Sequence, residues 1–463
     1  MIIVIFGASG DLAKRKLFPS LSKLNLPNTQ IIAYSRSKTT IFDQENATFY
    51  SRIKYIEGSY DNLQPLFAYK NEEILFYFAV PPKIYKTLLN QIQFFEKGVL
   101  ALEKPFGDNL ADINEIFNFQ KANFSRFCVV FIDHYLLKPL ISAIPVFKIK
   151  YPLLFKYCSA GFAESVVVIS KEILGSEGRL YFDETGIVKD IIQNHLLAFF
   201  CSIFYDHSNS KNYMSSEKGN CNEFGDSFDI TKTNKDLYKP LIDYNLIGEK
   251  RFEVFNNLKI KKEKCLFGQY DDYESELGSK SNTETYAFIE GTYLNTVKTV
   301  FIAGKGLNEK LTELRVNLKH EFIKQFLQNI STYLKNQNNS NYKLNDSLIN
   351  ETVKLHIVFN IAPHNKIFLH LLTKNDEEIT LPIILTDEIL NENKYVTGGL
   401  EDHALIFNSL VNKQPFSATS LMEVKKQWEE FDILDCKNES NIFKYKKGID
   451  FPTEIVDYMS YFI

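Results

Sequence analysis

Near the amino terminus, Gly7-Ala8-Ser9-Gly10-Asp11-Leu12-Ala13 joins an apolar run, Ile2 to Phe6, to a stretch with helical spacing. A strand that ends on glycine and hands over to a helix leaves backbone N–H groups to receive an anion, and a pyrophosphate is the expected occupant. The spacing is GxxGxxA rather than GxGxxG, and glycine also serves ordinary turns, so the loop alone leaves a plain turn open. The next apolar run ends in Ser35-Arg36-Ser37-Lys38, where an NAD enzyme carries an acidic residue for the ribose hydroxyls. An arginine there suits a 2′-phosphate, the alternative being a solvated surface arginine. NADP is the expected coenzyme, with Gly7, Ala8, Ser9, Gly10, Asp11, Leu12 and Arg36 holding it.

The elements that must position these residues have a clear texture. Ile2 to Phe6, Ile31 to Tyr34, Ile74 to Val80 and Val99 to Leu102 are short apolar runs, the pattern of strands buried on both faces of a parallel sheet. Leu12 to Leu24 and Ile84 to Phe95 carry apolar residues at helical spacing, so right-handed βαβ units follow. Phe127 to Ile132 is one more strand, ending at Asp133; beyond it longer alternating segments such as Ser165 to Ile169 and Ile357 to Leu371 take over. The predicted organisation is α/β: a Rossmann-like, doubly wound parallel sheet over residues 1–133, then a large β+α domain with a mostly antiparallel sheet over 134–463. Polar stretches at Ser208 to Ser227, Asp271 to Asn282 and Asn336 to Ser347 read as surface loops.

With 463 residues, two domains are expected. A net charge of -4 and a pI near 6.1 provide no basic field for nucleic acid. Six cysteines without a CxxC pair argue against a zinc site or a disulfide framework and fit a reducing compartment. The opening MIIVIFGASG lacks a basic leader and reads as a buried strand. No stretch reads as long and apolar enough to cross a membrane.

Five motifs occur in order: GASGDLAKRK, AVPP (Ala79 to Pro82), EKPFG (Glu103 to Gly107), IDHYLLK (Ile132 to Lys138) and DIIQNHLL (Asp190 to Leu197). Weaker matches run through KEILGSEGRLYFDETGIVKD and GKGLNEK to FPTEIVDYM, so nearly the whole chain resembles the glucose-6-phosphate dehydrogenase family. The resemblance implies oxidation of glucose 6-phosphate at C1 to the lactone with hydride transfer to NADP, the first step of the oxidative pentose phosphate pathway. It also implies a cytoplasmic homodimer or homotetramer.

Oxidising a hemiacetal needs a base for the hydroxyl proton, and histidine titrates near working pH. His195 is that base by the resemblance, although a histidine among Ile191, Ile192 and Leu196 otherwise reads as packed core. Asp133 would accept the other ring N–H and fix the tautomer; alone it reads as a strand-end cap. The sugar phosphate is a dianion, and His134 and Lys138, four apart, suit one face of a helical turn, with Tyr135 adding a hydroxyl. The resemblance places Lys104, Glu172, Asp190 and Lys305 on the sugar or its phosphate, with Lys310 and Lys16 as further basic groups. It puts Ala79, Val80 and Lys104 beside the coenzyme, and Pro105 is a candidate cis proline.

Three departures stand out. Leu137 and Pro139 flank Lys138 where the family has glycine and glutamate, and a proline is expected to limit helix continuation there. Ile173 and Leu174 follow Glu172 in place of proline and phenylalanine. Ile302, Leu311 and Asn360 stand where relatives have basic residues for a second, structural NADP, so that site is expected to be absent or weak. The rival readings are a catalytically silent NADP-binding or regulatory homologue and an oxidoreductase acting on another hexose.

Overall fold

The structure is a computed structural model that describes residues 1–37, 47–206, 244–336, 344–414, 416–432, 434 and 442–459. The predicted loop at Ser208 to Ser227, much of that at Asn336 to Ser347, and Lys38 lie outside them. The chain divides into two compact units: residues 1–137 with 399–432, and residues 138–398 with 433–463.

In the first unit six strands form a sheet: β1 (Ile2–Phe6), β2 (Gln30–Ser35), β3 (Lys54–Glu57), β4 (Glu73–Phe78), β5 (Lys97–Glu103) and β6 (Phe127–Ile132). Their order is β3-β2-β1-β4-β5-β6 and every pairing is parallel, so the order reverses between β1 and β4, where such sheets receive their ligands. The apolar runs become strands because both faces are covered. Ile3, Ile5 and Tyr77 pack on one side, and Val4, Phe6 and Phe76 on the other.

The expected single boundary at residue 133 needs correcting. Residues 399–432 rejoin the first unit because their apolar side chains complete its two cores. The helix Asp402–Asn412 places Ile406, Phe407 and Leu410 in the core of Ile3, Ile5 and Leu17. The helix Leu421–Phe431 places Val424 and Trp428 in the opposite one, and Thr419 bridges to Phe131.

The second unit holds a ten-stranded sheet. Its strands are β7 (Ala163–Lys171), β8 (Leu258–Ile260), β9 (Leu266–Tyr270), β10 (Tyr286–Tyr293), β11 (Val297–Gly304), β12 (Leu311–Leu318), β13 (Thr352–Ala362), β14 (Lys366–Thr373), β15 (Glu378–Ile384) and β16 (Phe443–Tyr445). The pairing is antiparallel except at β7 with β11 and β9 with β16, which run parallel. Asp271 to Asn282 is not a plain surface loop: it contains the helix Tyr273–Leu277, anchored by the fully buried Tyr273.

Beside this sheet runs a helical stretch, Leu180–Phe204, long and apolar enough to cross a membrane by length and composition. That corrects the expectation that no such stretch exists. Most of it is buried within the structure, and Phe200 packs edge-on against Phe301 of β11, which makes it a core helix of this unit.

Its carboxyl end is held by Lys148, from the helix Pro139–Lys150. The Nζ donates to the carbonyls of Ile203 and Tyr205 at 2.7 and 2.6 Å and sits 4.0 Å from the Tyr205 ring centroid. These contacts favour the ammonium, but full burial opposes them and prevails, pulling the pKa down to about 7; the Cys158 and Asp206 side chains act the other way. Because the unfolded lysine keeps its proton to higher pH, stability must rise with pH above 7. Wild type should gain stability over Lys148→Met by about 1.4 kcal/mol per pH unit. The window runs to about pH 10, where the unfolded lysine itself loses its proton; Cys158, whose thiol burial pushes up to about 12, is common to both proteins and largely cancels in the comparison. Thermal melts of both proteins across this range check it, and parallel curves would contradict it.

Candidate active site

Gly7 follows β1 with φ +80°, and an added Cβ would lie 2.0 Å from the Ala79 carbonyl oxygen and 3.0 Å from a Val80 methyl. Glycine is required here both by conformation and by space. The Gly7 and Ala8 amides donate to the Tyr34 carbonyl at 3.1 and 3.2 Å, and the Gly10 amide donates to the Gly7 carbonyl at 2.9 Å. Three amides expected to face a ligand are thus hydrogen-bonded within the protein instead, two to β2 and one within the loop. Gly10 and Asp11 are exposed and Ser9 and Leu12 are half-buried. Ala79 and Val80 border the same turn, with the Ala79 amide donating to the Phe6 carbonyl at 3.0 Å.

Arg36, exposed just past β2, places its guanidinium 5.7 Å from the centroid of the Tyr60 ring. Burial raises the Tyr60 hydroxyl pKa, opposed by Arg36 and by the Gly7 amide. A glycine cradle, exposed loop positions and a cation past β2 form an arrangement that fits a dinucleotide bearing an extra phosphate. Lys16 projects from the exposed side of the wide helical turn Ala13–Leu17.

At the carboxyl ends of β5 and β6 lie Lys104, half-buried and joined to Pro105 by a cis peptide bond, and Asp133, buried. One Asp133 carboxylate oxygen accepts the Tyr135 amide at 2.9 Å and its carbonyl accepts the Leu136 amide at 3.1 Å, so Asp133 caps the short 3-10 turn His134–Leu137. That turn stops at Leu137. Lys138 is extended, with φ -60° and ψ 142°, and Pro139 opens the next helix at its first position. His134 and Lys138 thus do not share one continuous helical face. Pro139 limits the turn as expected, since the residue before a proline is driven to the extended region, and it also opens the next helix, where its missing N–H costs nothing.

In the second unit the parallel pairing of β7 with β11 sets Lys171 opposite Gly304. Glu172 and Lys305, one residue further on, are therefore neighbours, and the Glu172 amide donates to the Gly304 carbonyl at 2.9 Å. The Lys305 ammonium forms a short ion pair with the Glu172 carboxylate, lies 3.9 Å from an Asp190 carboxylate oxygen, and stands 4.9 Å from the Phe182 ring centroid. Three residues far apart in sequence meet in one cluster. Two carboxylates around one lysine give it net negative character, better suited to accepting sugar hydroxyls than to gripping a phosphate.

Asp190 and His195 share the stretch Val188–Leu196, whose turns are widened to π-type hydrogen bonding, a form that recurs at functional sites. Bonding between residues five apart stacks Asp190 and His195 on one side. His195 is buried. The helix restarts here because Gly186 breaks it with φ +74° and the buried Glu284 takes over: its carboxylate accepts the Val188 amide at 3.2 Å and its carbonyl the Ile187 amide at 3.1 Å. An added Cβ at Gly186 would lie 2.3 Å from that carboxylate. Glu284 carries no motif signal in the sequence.

Lys171, also missed, is fully buried and pairs with Glu309 at 2.7 Å and with Asp450 more closely still. Its position beside Glu172 in KEILG was the available clue. Lys310 is exposed in the turn that follows Glu309. Around the positions expected to lack a second coenzyme, Ile302 and Asn360 are buried, Asn360 donates to Glu313 at 3.1 Å, and Glu313 pairs with Arg315 at 2.6 Å.

Models of the glucose-6-phosphate dehydrogenase NAD-binding domain and C-terminal domain match residues 4–142 and 146–221. A glucose-6-phosphate 1-dehydrogenase of Encephalitozoon cuniculi is 34% identical over 98% of both chains. The chain belongs to the glucose-6-phosphate dehydrogenase family. A cytoplasmic isoform from Solanum tuberosum is 28% identical over 68% of this chain and 66% of its own. Among solved structures, a glucose-6-phosphate dehydrogenase in complex with glucose 6-phosphate superposes with a TM-score of 0.72 at 23% identity, covering 99% of this chain and 96% of that one. The enzyme from Mycobacterium avium gives 0.69 at 20% identity, over 99% and 97%. At those identities the likeness concerns the fold, which in this family is a Rossmann-like sheet with a large mixed sheet.

Gly7→Ala should abolish measurable NADP binding and lower the thermal midpoint of the first unit, because the new methyl meets a backbone carbonyl at a strained φ. Gly10→Ala, whose added Cβ would lie 3.1 Å from the Gly7 carbonyl, should be far milder. Titration calorimetry with NADP and thermal melts compare the two; equal effects would refute the cradle.

Proposed function

We propose that this chain oxidises glucose 6-phosphate at C1 to 6-phosphogluconolactone. Membership of the glucose-6-phosphate dehydrogenase family makes it an oxidoreductase with NADP as coenzyme. The observation that carries the reading is the Lys305, Glu172 and Asp190 cluster, with Asp190 on the same widened helix as His195.

NADP, when bound, supplies the hydride acceptor. His195 is the base that takes the C1 hydroxyl proton, and Asp133 accepts its second ring N–H, which fixes the tautomer and stabilises the imidazolium. Glu172 and Asp190 accept sugar hydroxyls while Lys305, which pairs with Glu172 and lies beside Asp190, orients both carboxylates. His134, Tyr135 and Lys138 receive the phosphate dianion, with Lys104 between sugar and coenzyme and with Lys310 and Lys16 as outlying basic groups. Gly7, Ala8, Ser9, Gly10, Asp11, Leu12, Ala79 and Val80 form the coenzyme side, and Arg36 reads the 2′-phosphate.

The silent-homologue reading rested on Pro139 and on the altered C-terminal half. Pro139 stands at a favourable helix start, and the glucose-6-phosphate 1-dehydrogenase that is 34% identical is matched along 98% of both chains, the C-terminal half included. The buried Asn360 and the Glu313–Arg315 pair support the absence of a second, structural NADP. Cytoplasmic location and a homodimer or homotetramer are part of the proposal; the Solanum tuberosum relative is a cytoplasmic isoform.

Purified protein should form NADPH from NADP and glucose 6-phosphate, followed by absorbance. His195→Asn should lower kcat by about 10²–10⁴-fold while leaving NADP affinity intact. No turnover by wild type, or full turnover by His195→Asn, would overturn the reading. Arg36→Ala should raise KM for NADP far more than for NAD; an equal rise would show that Arg36 does not read the 2′-phosphate.

A further inference from the structure

Glu103 is the last residue of β5 and directly precedes Lys104. Its carboxylate is buried, yet it projects into the first unit's core, where an aliphatic side chain would ordinarily stand. The Tyr77 hydroxyl donates to it in a short hydrogen bond, and His403 Nε2 lies 3.1 Å from the same oxygen. The Tyr85 hydroxyl donates to the Glu103 carbonyl at 2.7 Å, so side chain and backbone are both held. Tyr77 is itself pinned by Phe407, ring centroids 5.0 Å apart, and burial beside Glu103 drives its hydroxyl pKa upward, keeping it a donor.

His403 and Phe407 lie on Asp402–Asn412, the first helix of the segment that returns to the first unit. The return therefore delivers a histidine to a buried carboxylate one residue before a site lysine. A buried carboxylate is costly unless fully partnered, and an apolar residue at 103 would pack without partners. What the arrangement adds is a fixed direction for the peptide from which Lys104 leaves the strand.

We propose that Glu103, clamped by Tyr77 and His403, is the positioning residue for Lys104. The inference rests on the assignment of Lys104 to the substrate and coenzyme given above. The residues exert no chemistry of their own on the substrate; they hold the Lys104 ammonium where it must act, and misplacement of a positioned group by an ångström is felt strongly in rate.

The test is a double-mutant cycle on kcat/KM with Lys104→Ala and His403→Leu, alongside Tyr77→Phe, His403→Gln and Val424→Ala. Val424 is a core residue of the same return segment that lies outside the clamp. His403→Leu should lower kcat/KM about tenfold or more, and His403→Gln, which keeps an amide donor, should recover part of it. In the Lys104→Ala background His403→Leu should have little further effect, because its target is gone. Val424→Ala should lower the thermal midpoint without moving kcat or KM at a temperature well below the melt. Additive losses in the cycle, or kinetic losses in Val424→Ala matching those of His403→Leu, would overturn the clamp while leaving the role of Lys104 standing. A silent Lys104→Ala would overturn the role of Lys104 and the clamp together.

Discussion

Parallel strands bring their carboxyl ends to the same edge, and this chain places its candidate site residues one residue past such ends. Gly7 follows β1, Arg36 follows β2, Ala79 follows β4, Lys104 follows β5 and Asp133 follows β6. The second unit repeats the device within an otherwise largely antiparallel sheet. Glu172 follows β7 and Lys305 follows β11, a parallel pair near its middle. Strand ends are rigid starting points for side chains. The ion pair between Glu172 and Lys305 is a direct consequence of strand direction, for an antiparallel pair would send the two residues to opposite edges.

Charge inside the protein is spent sparingly and with partners. Lys305 meets two carboxylates, Lys171 meets Glu309 and Asp450, and Glu103 meets a tyrosine and a histidine. Lys148 is the exception, lying among carbonyls and aromatic rings with burial drawing its pKa down to about 7. Such pairs contribute little net stability compared with apolar packing. Their value is directional: each fixes one strand end or one helix end, and the helix fixed by Lys148 is the one that carries Asp190 and His195.

Much of this was legible in the residues. Apolar runs covered on both faces announce parallel strands, so β1, β2, β4, β5 and β6 follow from pattern. β3 does not, because Lys54–Glu57 is a short edge strand with charged ends. The ordered motifs nominate Asp133, Asp190 and His195, and a weaker match nominates Lys305, but only three-dimensional pairing shows that Lys305 is shared by two carboxylates. The return of residues 399–432 was hidden, since its apolar side chains specify burial but not against what. Pro139 was half legible: it ends the preceding turn as expected, but the same residue also begins the next helix. Leu180–Phe204 does not stand out in the sequence because Asp183, Glu184, Lys189 and Asp190 interrupt its apolar character. Lys171, Glu284 and His403 sit in sequence contexts where a charged or histidine side chain normally reads as solvated.

The central claim is that hydride leaves C1 of glucose 6-phosphate for the nicotinamide while a side chain takes the hydroxyl proton. Turnover of glucose 6-phosphate bearing deuterium at C1, with mass spectrometry of the recovered NADPH, tests this most directly. The deuterium should appear in the nicotinamide ring of NADPH and none in solvent. Deuterium released to water, or NADPH formed without label, would contradict it.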